Sequence, residues 1–129
     1  MPKIVRPILA AVLAMALTTP SHAFFEEHVE NIRAAIAAGE VVQCAGCNLS
    51  YADLSGLDFS GADLQGAYMY GARMNGAIMR GANLNRSDFT RADISGVDFS
   101  DASMDSVRMT SAKRCETIMP DGTRDDRHC

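Results

Sequence analysis

The sequence contains no tryptophan, and its 129 residues include only three tyrosines, five phenylalanines and three histidines. His28 and His128 have no set of neighbouring side chains that would form a catalytic or metal-binding constellation. Glycine and short polar residues are frequent instead, which is not the composition expected of a helical enzyme domain. We therefore expect a chain that is not an enzyme, with no catalytic residue, metal or cofactor.

The sequence also lacks a hydrophobic run long enough to cross a membrane. The unbroken apolar segment 8–17 is about ten residues long, whereas a helical span needs roughly 20. It follows Lys3 and Arg6 and precedes a Ser-His-Ala sequence that ends at Ala23. This order is typical of a secretory signal. We predict a signal peptide at 1–23, cleavage before Phe24, and a periplasmic or secreted bacterial protein without stable membrane insertion.

Basic residues are too few for a broad surface that binds nucleic acid or anionic lipid. Removal of Lys3 and Arg6 with the signal leaves 10 basic and 16 acidic residues, a net charge of −6. Association with polyanions depends on many cationic contacts. The mature chain is therefore expected to bind neither nucleic acid nor an anionic membrane.

A five-residue repeat runs without insertion from Cys47 to Ser111. The first residue of each unit is usually alanine, the second and fourth are mostly short and polar, and glycine is frequent at the fifth. The third residue is always large and apolar: Leu49, Leu54, Phe59, Leu64, Met69, Met74, Met79, Leu84, Phe89, Ile94, Phe99, Met104 and Met109.

A period of five fits neither an α-helix nor a flat β-strand, whose side chains repeat every 3.6 and every 2 residues. It fits a coil in which each unit forms one side of a square and the chain turns a corner every five residues. Gly, Ser, Asp and Asn near the unit boundaries suit such tight turns. Residues twenty apart should then lie over one another at the β-sheet spacing of about 4.8 Å.

This pattern resembles the pentapeptide-repeat family, whose motif is approximately A-(D/N)-L-x-x. The resemblance covers residues 42–114 and implies an all-β solenoid, a right-handed quadrilateral β-helix. The Cys-Ala-Gly-Cys sequence at 44–47 and the ending from Cys115 to Cys129 resemble the flanks of exported family members.

The two ends of such a solenoid would expose core and unpaired backbone unless they were covered. Residues 24–41 are predicted to form a short N-terminal capping α-helix and linker, with Val29, Ile32 and Ile36 on one face and Glu26 in the first turn. Residues 115–129 are predicted to form a C-terminal cap closed by a disulfide.

The four cysteines allow three pairings. On a coil of 20 residues, Cys47 and Cys115 lie about 3.4 coils apart, on the order of 16 Å along the axis. A disulfide needs Cα atoms within about 7 Å. We therefore expect Cys44 to pair with Cys47, and Cys115 with Cys129.

The repeat indicates a module that binds or scaffolds an unknown protein partner. Tyr51, Tyr68, Tyr70 and Ile78 are the candidate interaction residues, because they are apolar or aromatic at outward positions. End-to-end pairing of two copies is a further option.

Two other functions compete with this interpretation. Cys44 and Cys47 also match a thiol–disulfide redox motif. Some family members imitate duplex DNA and engage topoisomerase, a role that the resemblance brings with it but that surface arginines such as Arg73, Arg80 and Arg108 oppose.

Overall fold

The computed structural model describes residues 5–7 and 21–129. Its elements are β1 (Val5–Pro7), α1 (Ser21–Ala37), β2 (Val41–Gln43), β3 (Thr117–Ile118) and β4 (Arg124–Asp125). Most of the predicted signal peptide, residues 1–4 and 8–20, lies outside the described residues. Strand β1 is the part of the predicted signal peptide that is described apart from the start of α1, and it pairs in parallel with β2.

Between β2 and β3 the chain forms a coil whose successive turns are joined by single parallel β-bridges. The twelve bridges from Gln43↔Asp63 to Asp98↔Ile118 each join residues that are twenty apart. Most units also make a turn in which the first residue donates its N–H to the carbonyl of the third residue of the preceding unit, as in Ala72 N–H to the Met69 carbonyl at 3.1 Å. Five residues per side and twenty per coil give a four-sided solenoid.

The third residues of the units form the core. Eleven of them, from Leu49 to Phe99, are at most 1% exposed. Phe89 and Phe99 meet edge to face, with ring centroids 5.8 Å apart. Met104 and Met109 in the last coil are only half-buried. The predicted core register is therefore observed, and its burial decreases at the C-terminal end because fewer coils lie above it.

Corners between sides take the left-handed conformation. Gly71 has φ 64° and Gly96 has φ 70°, values at which a side chain is strained. Several corners nevertheless carry a side chain, including Tyr51, Arg86 and Arg91, with φ from 59° to 62°. At both kinds of corner a short polar residue often occupies the second position of the unit. Its side chain accepts a hydrogen bond from the backbone N–H of the fourth residue, as Asp88 does from Thr90 at 2.9 Å.

Helix α1 packs against the first coil. Ile32 is fully buried in the core cluster, and Val29 and Ile36 are partly buried against it. The Arg33 guanidinium donates a hydrogen bond to the Asp53 carbonyl at 3.0 Å. In later coils the carbonyl at this position accepts a backbone hydrogen bond from the coil before it. The first coil has no repeat coil before it, so the Arg33 side chain supplies the donor.

The observed boundaries differ from the predicted ones at both ends. The helix begins at Ser21 rather than near Phe24, so its first turn holds no acidic residue and the expected placement of Glu26 there is wrong. Nothing after Pro20 interrupts the helix, which therefore extends across the predicted cleavage point. The parallel bridges continue to Ile118, inside the segment 115–129 that we assigned to the cap. Among the described helices, none has the length and hydrophobicity needed to cross a membrane.

Candidate functional site

Two opposite sides of the solenoid differ in character. The tyrosine face comprises units 47–51, 67–71, 87–91 and 107–111. The acidic face comprises units 57–61, 77–81, 97–101 and 117–121, two sides further along each coil. The repeat register assigns these residues to their sides, because the bridges align Asn48, Tyr68, Asp88 and Arg108 in one column and Asp58, Ile78, Asp98 and Ile118 in another.

The structure brings three of the predicted interaction residues together and separates the fourth. Tyr51 is 72% exposed and Tyr68 is 56% exposed, while Tyr70 is half-buried. All three belong to the tyrosine face. Ile78 is 38% exposed but lies on the acidic face, between Asp58 and Asp98 in its column. A single flat partner therefore cannot contact Ile78 and the tyrosines at the same time.

Tyr51 and Tyr70 contact each other across successive coils. Their ring centroids are 5.6 Å apart with an interplanar angle of 71°, an edge-to-face arrangement. The Tyr51 ring also lies against Gly71 of the next coil. A Cβ atom built on Gly71 would come within 2.7 Å of the Tyr51 ring, whereas one built on Gly66 would meet nothing within 4 Å. The absence of a side chain at Gly71 thus makes room for the exposed ring.

Arginines extend the tyrosine face toward the C-terminal end. The Arg91 guanidinium carbon lies 5.9 Å from the centroid of the Tyr70 ring, within range of a cation–π contact. The Arg108 Nη1 lies 3.9 Å from the Asp88 Oδ2. Arg86 is exposed at the corner that precedes this side in the third coil. Our sequence interpretation did not place these arginines beside the tyrosines, although the twenty-residue register would have done so.

The net charge of the two faces has opposite sign. The tyrosine face carries Asp88, Arg91 and Arg108, a net charge of +1, and Arg86 and Asp105 lie along its border. The acidic face has a net charge of −3, from one arginine and four aspartates: Arg80, Asp58, Asp98, Asp101 and Asp121. In a chain whose net charge is −4, the tyrosine face is therefore locally basic.

Burial raises the pKa of Asp88, but hydrogen bonds from Thr90 and the charge of Arg108 outweigh it and leave the pKa below its ordinary value. Asp98 on the acidic face also has a lowered pKa, chiefly because Ser100 donates hydrogen bonds to it, with a smaller contribution from Arg80. Both carboxylates are therefore ionised at neutral pH and hold turns of the coil. These shifts are typical of turn-forming aspartates and do not resemble a general acid poised near pH 7.

Both cysteine pairs form disulfides in the pairing expected from their spacing. The Cα atoms are 5.2 Å apart for Cys44–Cys47 and 4.7 Å apart for Cys115–Cys129. Cys44 and Cys47 are 2% and 5% exposed, which places their sulfur atoms in the core beneath the first coil rather than at an accessible surface. Within residues 5–7 and 21–129, no cluster of His, Cys, Asp or Glu side chains has the arrangement of a metal site.

A network around Asp125 joins the C-terminal segment to the last coil. Arg114 takes the third position of its unit, where the other units carry a core side chain, and its Nη1 lies 3.5 Å from the Asp125 Oδ2. Arg127 Nη2 lies 2.7 Å from the same oxygen. The hydrogen bond from Arg127, together with both positive charges, lowers the pKa of Asp125 to about 2 despite its burial. The sequence interpretation missed this network because it ended the repeat at residue 114.

Comparison with known proteins agrees with the repeat. The model of a family described as pentapeptide repeats matches residues 43–81 and 67–105, with eight copies. The repeats of this chain are pentapeptide repeats. The family match and the first solved structure below support its place in the pentapeptide-repeat family, whose members fold as right-handed quadrilateral β-helices and are generally non-enzymatic. No curated protein matched the chain.

A pentapeptide repeat protein from the cyanobacterium Cyanothece 51142 is 28% identical, with a TM-score of 0.51, over 52% of this chain and 46% of that protein. HetL from Nostoc sp. strain PCC 7120, involved in heterocyst differentiation regulation, is 27% identical over 65% of this chain and 41% of its own length, with a TM-score of 0.41. A third pentapeptide repeat protein, from Nostoc PCC 7120, is 27% identical over 66% of this chain and 74% of its own, with a TM-score of 0.42. The chain thus spans less than half the length of the first two proteins.

Proposed function

We propose that this chain is an exported, non-catalytic module that binds another protein through its tyrosine face. The observation that carries the proposal is the exposure of Tyr51 and Tyr68 on one side of a rigid solenoid, beside Tyr70. Tyrosine is enriched at protein interfaces because it offers a large contact area with a polar end. The N-terminal segment 1–23, with its basic start and short apolar run, supports export.

The position of Tyr51 supports a role beyond folding. A non-glycine residue in the left-handed region costs roughly 1–2 kcal/mol, and glycine fills many of the other corners at no such cost. A tyrosine that is 72% exposed recovers little of this by burial. Its side chain instead contacts Gly71 and the ring of Tyr70, both in the next coil.

The competing functions fit the observed geometry less well. A reactive cysteine is normally an accessible thiolate in an electropositive setting, whereas Cys44 and Cys47 are buried in a disulfide. A DNA mimic needs a continuous acidic surface, and Arg86, Arg91 and Arg108 interrupt it on the tyrosine face. Pairing of two copies through their ends stays a prediction.

The test is affinity capture of the tagged full-length gene product from the envelope fraction of its own cells. Three forms are compared: the unchanged protein, the double variant Tyr68→Ser with Tyr70→Ser, and Ile78→Ser as a control on the opposite face. We expect the double variant to lose a co-purifying protein that the other two retain. Thermal unfolding should give the same midpoint for all three, because the changed side chains lie outside the core.

The same preparation tests export. We expect amino-terminal sequencing to begin at Phe24. An identical set of captured proteins for all three forms would refute the tyrosine face as the contact surface. A chain from the envelope that still begins at Met1 would refute cleavage of the signal.

A further inference from the structure

We infer that the partner presents an extended peptide segment in which apolar and acidic residues are separated by about three residues. The inference rests on the proposed function and adds the chemistry of the partner to it. It depends on the order of side chains along the tyrosine face and on the charge of that face relative to the rest of the molecule.

Aromatic and cationic side chains occupy different halves of the tyrosine face. Tyr51 lies in the first coil, and Tyr68 and Tyr70 lie in the second, since the bridges place Tyr68 one coil above Asn48. Arg86 and Arg91 lie in the third coil and Arg108 in the fourth. A ligand that runs parallel to the axis therefore meets rings first and guanidinium groups afterwards.

The spacing suits an extended peptide. Coils stack about 4.8 Å apart, so the centre of the aromatic half and the centre of the arginine half are separated by roughly 10 Å. An extended chain advances about 3.3 Å per residue, so three residues bridge that distance. Its apolar side chains would contact the rings of Tyr51 and Tyr70, and its carboxylates would reach Arg91 and Arg108.

The charge of the tyrosine face favours an acidic partner. The tyrosine face is locally basic, and the acidic face behind it repels an anion that approaches from the other side. Arg91 is exposed beside Tyr70, and an exposed guanidinium is a strong donor to a carboxylate. Arg108 is 77% exposed and only loosely paired with Asp88 at 3.9 Å.

A peptide is favoured over a nucleic acid by the number and arrangement of these cations. Duplex DNA presents one charge per about 1.7 Å of its axis, and its binding proteins neutralise several phosphates at once. Three arginines beside Asp88, on a mature chain of net charge −6, would neutralise far fewer phosphates than a duplex DNA site presents. The tyrosine rings and the arginines occupy different coils. This arrangement matches a peptide, whose hydrophobic and charged side chains are separate along the chain.

The direct test uses fluorescence anisotropy with the purified full-length protein. The probe is a labelled twelve-residue peptide with a leucine–proline pair followed three residues later by two glutamates. One control peptide has glutamine in place of glutamate, and another has the glutamates moved next to the leucine–proline pair. A twelve-base-pair DNA duplex and phosphatidylglycerol vesicles are the competing polyanions.

We expect the probe to bind with a dissociation constant at least about tenfold lower than that of either control peptide, and to bind more weakly as salt increases. The double variant Arg91→Gln with Arg108→Gln should weaken binding about fivefold, the size expected when two exposed charge contacts are lost. The matched variant Arg80→Gln, on the acidic face, should leave binding unchanged.

Equal affinity for the glutamate and glutamine peptides, or no effect of the arginine double variant, would overturn the inference. So would tighter binding of the DNA duplex or the vesicles than of the probe. Envelope capture separates this failure from that of the proposed function. If the captured protein is lost with the tyrosine variants but kept with the arginine variants, the binding module stands and its partner is not acidic.

Discussion

The middle coils and the C-terminal end of this solenoid cover their inward side chains in different ways. In the coils from residue 62 to residue 101, each inward side chain is covered by the coil below and the coil above. Phe89 and Met74 are completely buried as a result. The last coil has no coil above it, and Met104 and Met109 remain half-buried.

The end is closed by a set of individual interactions in place of a further coil. Strand β3 pairs with β4, Cys115 is joined to Cys129, and Arg114 replaces an apolar core residue to reach the carboxylate of Asp125. A repeated unit needs only its neighbours, whereas a terminal unit needs individual partners. The difference teaches that stability in the middle depends on side-chain volume, and at the end on cross-links and charge.

The largest expected effect comes from a cavity in the middle. Phe89→Ala should lower the free energy of unfolding by about 3–5 kcal/mol, because the ring is enclosed on every side and its contact with Phe99 is lost. Met109→Ala, in the same column one coil later, should cost clearly less because Met109 is already half-exposed. Urea unfolding of both variants measures the difference, and equal losses would show that the end is packed as tightly as the middle.

The second effect concerns the cross-link at the end. Replacement of Cys115 and Cys129 by serine opens a loop of about 15 residues and should cost about 3 kcal/mol. The matched change of Cys44 and Cys47 opens a much shorter loop and should cost less, about 2 kcal/mol.

Thermal unfolding of the two double variants and of the unchanged protein tests this order. If loss of the Cys44–Cys47 bond proved the more damaging, burial of that pair in the core would matter more than loop length.

A smaller effect depends on pH. The pKa of Asp125 falls to about 2 in the folded protein from an ordinary value of 3.8. The folded state then binds its proton more weakly than the unfolded state, so this stabilisation is fully present above about pH 4. It should decrease as the pH falls through the interval from about 4 to about 2, by about 1–2 kcal/mol after an allowance for solvent screening.

Asp125→Asn should remove this contribution and flatten the pH dependence of stability. The pKa of Asp121, at an exposed turn, is also lowered by hydrogen bonds from Thr123, so Asp121→Asn should flatten it too, but by less. Unfolding curves recorded between pH 2 and pH 6, a range chosen to span both values, provide the measurement. If the free energy of unfolding of the Asp125 variant depended on pH as in the unchanged protein, the network around Asp125 would not contribute to stability in acid.

The smallest effect sharpens the comparison inside the middle coils. Gly71→Ala and Gly66→Ala both place a side chain at φ 64° to 67°, and each should cost roughly 1 kcal/mol. Only at Gly71 does the new methyl group displace a ring, that of Tyr51. We expect equal unfolding midpoints but a changed near-ultraviolet circular dichroism of tyrosine in Gly71→Ala alone. Identical spectra would show that Tyr51 does not rest on Gly71.

Much of the fold could be predicted from the sequence because the repeat is local and redundant. The third-position residues, the twenty-residue register and both cysteine pairings follow from a unit of five residues repeated without insertion. The helix start at Ser21 could not be predicted in the same way, because it lies ahead of the repeat. The continuation of the coil to Ile118 could not be predicted either, because the residues there match the motif only in part. Met119 keeps the apolar third position, but Thr117 and Ile118 stand where the motif has alanine and a short polar residue.

The candidate site was predictable only in part. The sequence indicated that Tyr51, Tyr68 and Tyr70 point outward, and the register alone separates Ile78 from them by two sides. The contact between Tyr51 and Tyr70, and the position of Arg91 beside Tyr70, depend on how long side chains orient on adjacent coils.

By itself, the sequence determined that this chain coils with a period of five and which side chain of each unit is buried, because every unit repeats the same local choice between core, turn and solvent. Only the tertiary structure decided where the repetition stops and which surface side chains meet. Those outcomes depend on contacts between residues far apart in the chain, such as Arg114 with Asp125, and on rotamers that no pentad specifies.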